Sequence, residues 1–306
     1  MRIYITGVSG FIGRRLAQHF LDSGHRVLGC GSSPTSRSKA PEGLDRFDVL
    51  CLGETAPANT FTELDAVVHT AYNPAPGSED LNVEGTDAWR TSAAQQGAQK
   101  QLFLTSHSAD AAATSEYGRQ KFRLETLFLE HGHQVARCGL VIGNGGLFQR
   151  MMTLISRLPI LPLLDGGKAP TLVTGSGDLV LSIERMLKDS AEDSALPKNA
   201  NLFNPDPISL RDLLKATRRA LRSRTFFLPI PSAILLPPLW IARNLGINLP
   251  VNEENVRGYR TNRAVERRSD YPSILDTPTP IATMIEIAAD EFHAPEPLTH
   301  SKGRTP

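Results

Sequence analysis

The chain has 306 residues and a mass of 33.4 kDa, enough for one large domain or two small ones. Hydrophobic residues make up 40% and charged residues 21%, a balance typical of a folded globular protein rather than a disordered one. Lys and Arg total 33 against 32 Asp and Glu, and this net charge of +1 argues against a nucleic-acid binder that relies on a basic surface. Cys30, Cys51 and Cys138 form no CxxC pair, so neither a disulfide framework nor a zinc site is predicted.

The amino terminus lacks the apolar core of a signal peptide, and we expect a cytoplasmic protein. Residues 225–242 carry no charge, which raises the question of a membrane span. Four prolines interrupt this segment, whereas a spanning helix needs about 20 apolar residues without such breakers. We therefore predict a buried or partly exposed helix and loop there and no membrane insertion, with membrane association as the minor alternative.

Short apolar runs alternate with helical patterns in the first half of the chain. Predicted strands cover residues 3–5, 27–30, 47–49, 66–69, 102–104 and 135–138, and predicted helices cover 12–21, about 86–96 and 115–131. This alternation predicts an α/β fold, in which a parallel sheet carries helices on both faces. In the second half the alternation weakens, and one amphipathic helix is predicted at 208–221.

The change of pattern predicts an uneven division of the chain. We expect a nucleotide-binding domain over residues 1–145, rejoined by about 172–204. Residues 146–171 and 205–294 would form a smaller substrate-binding region, and residues 295–306 a flexible tail with little to bury.

A glycine-rich loop follows the first predicted strand, in the sequence Thr6-Gly7-Val8-Ser9-Gly10-Phe11-Ile12-Gly13. A tight turn from strand to helix needs glycine where φ is positive or where a side chain would collide. The N–H groups at the start of the helix can then hold a pyrophosphate. The spacing is GxxGxxG and not the GxGxxG of the common fingerprint, so an ordinary glycine turn is the alternative. The residues predicted to bind a dinucleotide here are Gly7, Ser9, Gly10, Phe11, Ile12 and Gly13.

The end of the second predicted strand bears on the choice of cofactor. An acidic residue about 20 residues after the glycines would hold the ribose 2′-hydroxyl of NAD, and none is present. Ser32 and Arg37 instead offer a hydroxyl and a cation that suit a 2′-phosphate. NADP is therefore favoured, NAD remains possible, and a solvated loop is the alternative for Arg37 and Lys39.

Tyr117 and Lys121 are four residues apart in a predicted helix, so their side chains share one face. A free tyrosine has a pKa of about 10, but a nearby ammonium and a positively charged nicotinamide would both favour the phenolate. Such a tyrosine can exchange a proton with an alcohol or a carbonyl while hydride moves at the carbon. Ser106, beside Thr105 at the end of a predicted strand, can hydrogen-bond the reacting oxygen. The alternatives are a chance pair on an exposed helix and a turn-capping serine.

Several motifs in fixed order resemble the extended short-chain dehydrogenases/reductases, of the NAD-dependent epimerase/dehydratase group. They are the glycine loop, Asp48-Val49, Val67-Val68-His69-Thr70-Ala71, Asn82-Val83-Glu84-Gly85-Thr86, Thr105-Ser106, Tyr117-x-x-x-Lys121 and Arg137-Cys138-Gly139-Leu140-Val141-Ile142-Gly143. Together these motifs cover about residues 1–145.

The resemblance implies a Rossmann-type doubly wound parallel sheet with a smaller C-terminal substrate-binding region. It implies that Tyr117 is the acid/base and also contacts the cofactor, that Lys121 tunes it and anchors the ribose, and that Ser106 donates to the substrate oxygen. The further cofactor contacts it implies are Asp48 and Val49 at the adenine, Ala71 along the channel, Thr105 beside the serine, and Asn82 in support of the active-site helix.

By the same resemblance, the expected substrate is a small molecule, a nucleotide-diphosphate sugar, and the expected enzyme an epimerase or a 4-keto reductase. A homodimer through the helices at 86–96 and 115–131 is also expected. Candidate phosphate contacts in the second half are Arg257, Arg260, Arg263 and Lys168, with solvated surface as the default for each. No metal site is expected.

Three departures from the family pattern keep alternatives open. Only ten residues separate Ser106 from Tyr117, Ile142-Gly143-Asn144 stands where the family has Tyr-Gly-Pro, and no acid flanks the serine as in sugar dehydratases. The last point favours an epimerase or reductase over a dehydratase. The alternatives are a reductase of hydrophobic carbonyl compounds and a non-catalytic dinucleotide-binding sensor.

Overall fold

The computed structural model describes residues 1–189, 196–231 and 267–294, and this part of the chain contains thirteen strands and eight α-helices. The strands are β1 (Arg2–Thr6), β2 (Arg26–Gly31), β3 (Arg46–Val49), β4 (Ala66–His69), β5 (Gln101–Ser106), β6 (Gln134–Cys138), β7 (Leu140–Ile142), β8 (Ile160–Leu164), β9 (Pro170–Thr171), β10 (Val173–Gly175), β11 (Asn199–Leu202), β12 (Ile208–Ser209) and β13 (Phe226–Ile230). The helices are α1 (Phe11–Asp22), α2 (Glu79–Gln95), α3 (Glu116–Glu130), α4 (Gly146–Arg157), α5 (Ser176–Lys188), α6 (Leu210–Ala220), α7 (Tyr271–Ile274) and α8 (Ile281–His293).

Seven strands form one parallel sheet in the order β11-β6-β5-β4-β1-β2-β3. From β1 the chain builds outward through β2 and β3, and then returns to the other side of β1 with β4. A crevice therefore opens at the carboxyl ends of β1 and β4, where α/β proteins of this kind bind ligands. The Rossmann-type α/β sheet predicted from the sequence is confirmed.

Strand β1 shows how the sheet is held between two layers of helices. Ile3 and Ile5 pack in one cluster with Phe20 of α1 and with side chains of α5, whereas Tyr4 packs in another cluster with Trp89 of α2. Successive side chains of a strand point to opposite faces, so an unbroken apolar run covers both sides of the sheet. All three strand residues are fully buried.

The second half of the chain packs around a separate apolar cluster. Phe148 and Met152 of α4 meet Leu213 of α6 and Met284 of α8 in this cluster. Three two-stranded pairs, β7 with β10, β8 with β13 and β9 with β12, accompany these helices. Strand β11 instead leaves this region and extends the central sheet beside β6.

The six strands predicted in the first half are all confirmed to within two residues at each end. Helix α2 begins about two turns before its predicted start, because Ser78 precedes a first turn that carries Glu79 and Asp80. Helix α6 begins later than predicted, because the Ser209 Oγ accepts a hydrogen bond from the Asp212 N–H at 3.0 Å and caps the helix there.

The helix and loop predicted across 225–242 is wrong at its start, where residues 226–230 form β13, parallel to β8. Pro229 is accommodated because a two-stranded pair has open edges that need no N–H donor. Residues 232–242, the candidates Arg257, Arg260 and Arg263, and the tail 295–306 lie outside the described residues. Among the helices that are described, none combines the length and apolar character needed to cross a membrane.

A buried ion pair ties α3 to β6 and provides a test of the packing. Glu125 is 2% exposed and accepts hydrogen bonds from Nε and Nη2 of Arg137, the first at 2.8 Å. Removal of one partner leaves the other charge buried and uncompensated. We expect Glu125→Ala to lower the free energy of unfolding by about 3–5 kcal/mol in urea titrations. Glu116→Ala on the same helix breaks an exposed pair with Arg119 and should cost less than about 1 kcal/mol. Equal losses of stability in the two variants would contradict a buried ion pair between Glu125 and Arg137.

A second test concerns the contact of α5 with α1. Glu184 lies 2.7 Å from both His19 Nε2 and Lys188 Nζ. Burial alone would raise the pKa of Glu184, but hydrogen bonds from Lys188 and His19 outweigh it and lower the pKa to about 2. The stabilisation is therefore complete above the ordinary pKa of 4.5 and is lost as the pH falls toward 2. We expect the difference in unfolding free energy between wild type and Glu184→Gln to shrink across this range in denaturant titrations. A difference that stays constant would rule out an ionised Glu184 as its source.

Candidate functional site

The glycine loop brings the start of α1 against the carboxyl end of β1. Gly7 has a φ of +71°, and a Cβ at this position would lie 2.9 Å from the Cα of Ala71. A Cβ on Gly13 would lie 2.3 Å from the Gly7 carbonyl oxygen. No described side chain caps α1, which begins after Gly10, so the first N–H groups of the helix are left available to an anion. The loop therefore forms a cradle suited to a pyrophosphate.

A cavity of about 380 Å³ adjoins this loop at the ends of β1, β2 and β4. Its wall includes five of the residues predicted to hold the dinucleotide, namely Gly7, Ser9, Gly10, Ser32 and Ala71. Sequence reasoning missed other wall residues, among them Cys30, Cys51, Tyr72 and Asn73. Three of these follow β3 or β4 by a few positions, so the predicted strand ends were the signal that could have found them.

Phe11, Ile12 and Gly13 support the loop from outside the cavity wall. The Phe11 ring lies so close to Gly145 that a Cβ there would be 1.9 Å from a ring carbon. Ile12 packs against the apolar cluster beneath the sheet. These three residues therefore fix the position of the loop, and their contact with a dinucleotide stays a prediction.

Asp48 and Val49, predicted at the adenine, also lie outside the cavity wall. The Asp48 carboxylate accepts hydrogen bonds from the Tyr4 hydroxyl at 2.9 Å and from Arg46 Nε at 3.0 Å. Val49 is 51% exposed. The carboxylate therefore joins β3 to β1, and the wall near this point is formed by residues that follow Val49 in the chain.

Arg37 is engaged away from the cavity. Its guanidinium lies 5.6 Å from the centre of the Phe47 ring, and Nη1 donates a hydrogen bond to the Pro41 carbonyl at 3.2 Å. Ser32, by contrast, belongs to the cavity wall. In the second half of the chain, Lys168 is exposed.

Asn82 and Thr105 hold the surroundings of the site in place. The Asn82 Oδ1 accepts from the Asn73 N–H at 2.8 Å, and its Nδ2 donates to the Asn73 carbonyl at 2.9 Å and to Gln120 Oε1 at 3.3 Å. The amide thus joins the loop after β4 to helix α3. Thr105 is buried, with its Oγ1 3.5 Å from the Lys121 carbonyl.

Helix α3 brings Tyr117 to the end of β5. The helix begins after Ser115, whose Oγ accepts a hydrogen bond from the Gly118 N–H at 3.2 Å. Gly118 permits a close approach, because a Cβ there would lie 2.5 Å from the Ser108 carbonyl oxygen. The half-buried Tyr117 side chain consequently shares a hydrogen bond with the Ser106 side chain.

Lys121 lies beneath this pair as a buried cation. Its side chain is almost fully enclosed, and Nζ donates a hydrogen bond to the Leu104 carbonyl at 3.1 Å. Three aromatic rings surround Nζ, with centres 4.7 Å away for Phe103, 5.3 Å for Tyr72 and 5.9 Å for Tyr117. Burial lowers the pKa of Lys121 to about 8.

The pKa of Tyr117 is raised, contrary to the expectation that Lys121 favours the phenolate. Burial raises the pKa of Tyr117, nearby Cys138 and Tyr72 act in the same direction, and the hydrogen bond from Ser106 opposes them. Burial prevails because the phenolate loses its hydration. Without a ligand, Tyr117 is therefore a neutral phenol that can donate a proton.

Tyr72 connects the cavity to the Ser106, Tyr117 and Lys121 group. It belongs to the cavity wall, and its ring meets the Tyr117 ring edge to face with centres 5.3 Å apart. The structure thus brings the three predicted catalytic residues together behind Tyr72, and none of the three belongs to the cavity wall itself.

Comparison with known proteins places these features in a family. The profile described as NAD dependent epimerase/dehydratase family matches residues 3–158. Uncharacterized proteins of Mycobacterium tuberculosis and Mycobacterium bovis are 29% identical over 241 residues, which is 77% of this chain. The chain spans only 25% of the length of these relatives.

Solved structures of sugar-nucleotide epimerases share the fold. The UDP-glucose 4-epimerase of Thermotoga maritima is 13% identical, with a TM-score of 0.74 over 95% of this chain and 98% of that one. A UDP-glucose 4-epimerase of Thermus thermophilus, in complex with NAD, is 17% identical, with a TM-score of 0.71 over 95% and 99% of the two chains. The profile match extends from β1 just past α4, half of the sequence, and the chain therefore belongs to the NAD dependent epimerase/dehydratase family.

Proposed function

We propose that the chain is an NAD(P)-dependent oxidoreductase or epimerase that moves hydride to or from a carbinol or keto carbon. The observation that carries this proposal is the meeting of Ser106, Tyr117 and Lys121, together with Tyr72 of the cavity wall, whose ring contacts both Tyr117 and Lys121. Family membership supports the same conclusion.

The residues of the cavity fit a dinucleotide. The glycine cradle would hold the pyrophosphate through backbone N–H groups, and Ala71 and Tyr72 extend the wall toward Tyr117. A lysine ammonium has three N–H donors, so the bond to Leu104 leaves Lys121 able to anchor a ribose hydroxyl. When bound, the nicotinamide supplies or accepts the hydride.

Tyr117 would handle the proton. In the reductive direction its phenol donates to the carbonyl oxygen of the substrate while Ser106 donates a hydrogen bond to the same oxygen. The raised pKa of Tyr117 suits this direction, because the phenol stays protonated at neutral pH. In the oxidative direction a positive charge bound beside the ring would be needed to lower the pKa.

The cofactor we favour is NADP. No acidic side chain occurs in the cavity wall as far as the described residues define it, and Ser32 offers a hydroxyl at the end of β2. Arg37 would have to leave the Pro41 carbonyl to reach a 2′-phosphate, which makes Ser32 the stronger candidate of the two.

The substrate we favour is a nucleotide-diphosphate sugar, bound by the region 146–171 and 205–294. Structurally similar proteins are named for UDP-glucose and UDP-glucuronic acid, which supports this class. A reductase of hydrophobic carbonyl compounds is the second candidate, because Ile160 is 56% and Phe226 58% exposed on the β8–β13 pair. Stabilisation of the protein by UDP or dTDP in a thermal-shift assay would favour the first candidate.

The central test is Tyr117→Phe, assayed with NADPH and 4-keto sugar nucleotides. Loss of the phenol removes the proton donor and leaves the ring in place, so turnover should fall about 100- to 10,000-fold. Cofactor affinity, measured by fluorescence titration, should be unchanged because the hydroxyl is assigned to the substrate oxygen. Turnover close to wild type would remove the mechanism.

Cys51 offers a test of the cavity that needs no turnover. Its thiol belongs to the cavity wall and donates a hydrogen bond to the Ser32 carbonyl at 3.0 Å. Burial and the adjacent Glu54 raise the pKa of Cys51, so alkylation by iodoacetamide should be slow at neutral pH. Saturating NADPH should slow it severalfold further, as measured by peptide mass spectrometry. Cys138, which is buried and does not belong to the cavity wall, is the internal reference. An unchanged rate at Cys51 with bound NADPH would place the cofactor elsewhere.

A further inference from the structure

We propose that Arg267 is a positioning residue that holds the loop after β5, residues 107–115, and thereby sets the geometry of Ser106 and Tyr117. The role rests on the proposed function, in which these two side chains meet the reacting oxygen. Arg267 reaches the loop from the C-terminal part of the chain, 160 positions away from His107.

The guanidinium of Arg267 meets three acceptors of this one loop. Nη1 donates a hydrogen bond to the His107 carbonyl at 3.0 Å, and Nη2 donates to the Ala109 carbonyl and lies 3.3 Å from Asp110 Oδ2. The Arg267 side chain is 12% exposed, so little water competes for these bonds. The planar fork of arginine matches such a set of acceptors, whereas a lysine ammonium has no comparable geometry.

The loop held in this way folds back on Ser106. The Ser108 N–H donates to Ser106 Oγ at 3.2 Å, and the Ala109 N–H donates to the Ser106 carbonyl at 2.9 Å. A shift of residues 108–109 would therefore shift the hydroxyl assigned to the reacting oxygen.

The same loop also abuts the first turn of α3. A Cβ on Gly118, the residue after Tyr117, would lie 2.5 Å from the Ser108 carbonyl oxygen. The contacts of Arg267 thus reach both the serine and the tyrosine through one short segment.

The backbone near Arg267 has its own fixed base. Ser269 Oγ donates a hydrogen bond to the Phe203 carbonyl, and Asp270 exchanges hydrogen bonds with the backbone of Asn201 at 2.7 and 3.0 Å. Asn201 lies in β11 of the central sheet, and Phe203 directly follows this strand. Arg267 therefore links this edge of the sheet to the loop that lies between Ser106 and Tyr117.

The test compares Arg267→Gln and Arg267→Lys with Arg268→Gln in the full chain. Arg268 is the exposed neighbour and serves as the matched control. For Arg267→Gln we expect kcat to fall about 10- to 100-fold with KM changed less than about threefold, because small misplacements of reacting groups have effects of this size. Arg267→Lys should recover part of the loss, and NADPH affinity should match wild type in all variants.

Amide hydrogen exchange provides a readout that does not depend on activity. Residues 107–115 should exchange faster in Arg267→Gln than in wild type or Arg268→Gln, while β1 keeps its protection. Unchanged exchange in this segment would overturn the proposal, and so would faster exchange with an unchanged kcat. If Arg267→Gln fails to fold, Arg267→Lys carries the same comparison. A wild-type chain without turnover would instead refute the proposed function, and the exchange comparison would still decide whether Arg267 holds the loop.

Discussion

A buried ammonium, that of Lys121, lies where the cavity wall at Tyr72 meets the side chain of Tyr117. The Lys121 ammonium lies against the Leu104 carbonyl and among three aromatic rings, where it is almost fully buried from water. The fall of its pKa from 10.5 to about 8 corresponds to an energetic cost of about 3 kcal/mol for the charged form. Because a neutral long side chain would pack there without this cost, stability alone does not account for a lysine at this position.

In the proposed mechanism Tyr117, and not Tyr72, is the tyrosine that handles the proton. Tyr117 lies one helical turn before Lys121 and against Ser106, whereas Tyr72 comes from the loop after β4 and belongs to the cavity wall. Both rings lie near Lys121 Nζ, and the Tyr117 side chain also shares a hydrogen bond with the Ser106 side chain. The strand order makes this possible, since β4 and β5 are neighbours and deliver the two loops to the same edge.

Local rules were sufficient for the parts of the molecule in which a few adjacent residues determine the outcome. The glycine loop, the six strands and the Tyr117–Lys121 spacing are of this kind. Asp48 and Arg37 have the right chemistry for a nucleotide site, and their contact with a dinucleotide stays a prediction. Their partners Tyr4 and Phe47 could not be read from the local sequence, because the fold brings them together. Arg267 had no local signal at all, because its acceptors lie about half a chain away. The prediction for the start of the 225–242 segment was wrong for a related reason, because pairing with β8 makes residues 226–230 a strand.

The Phe11 ring has a consequence for how such a chain can be recombined. It fills the space that a side chain at Gly145 would need, so the first turn of α1 interlocks with the residues that open α4. A chimera that replaced the chain after residue 143 with that of another family member would therefore place a side chain in steric conflict with the Phe11 ring, unless it preserved Gly145. A crossover placed after Gly145 would keep this glycine together with Phe11, whereas a crossover placed before it would separate the two.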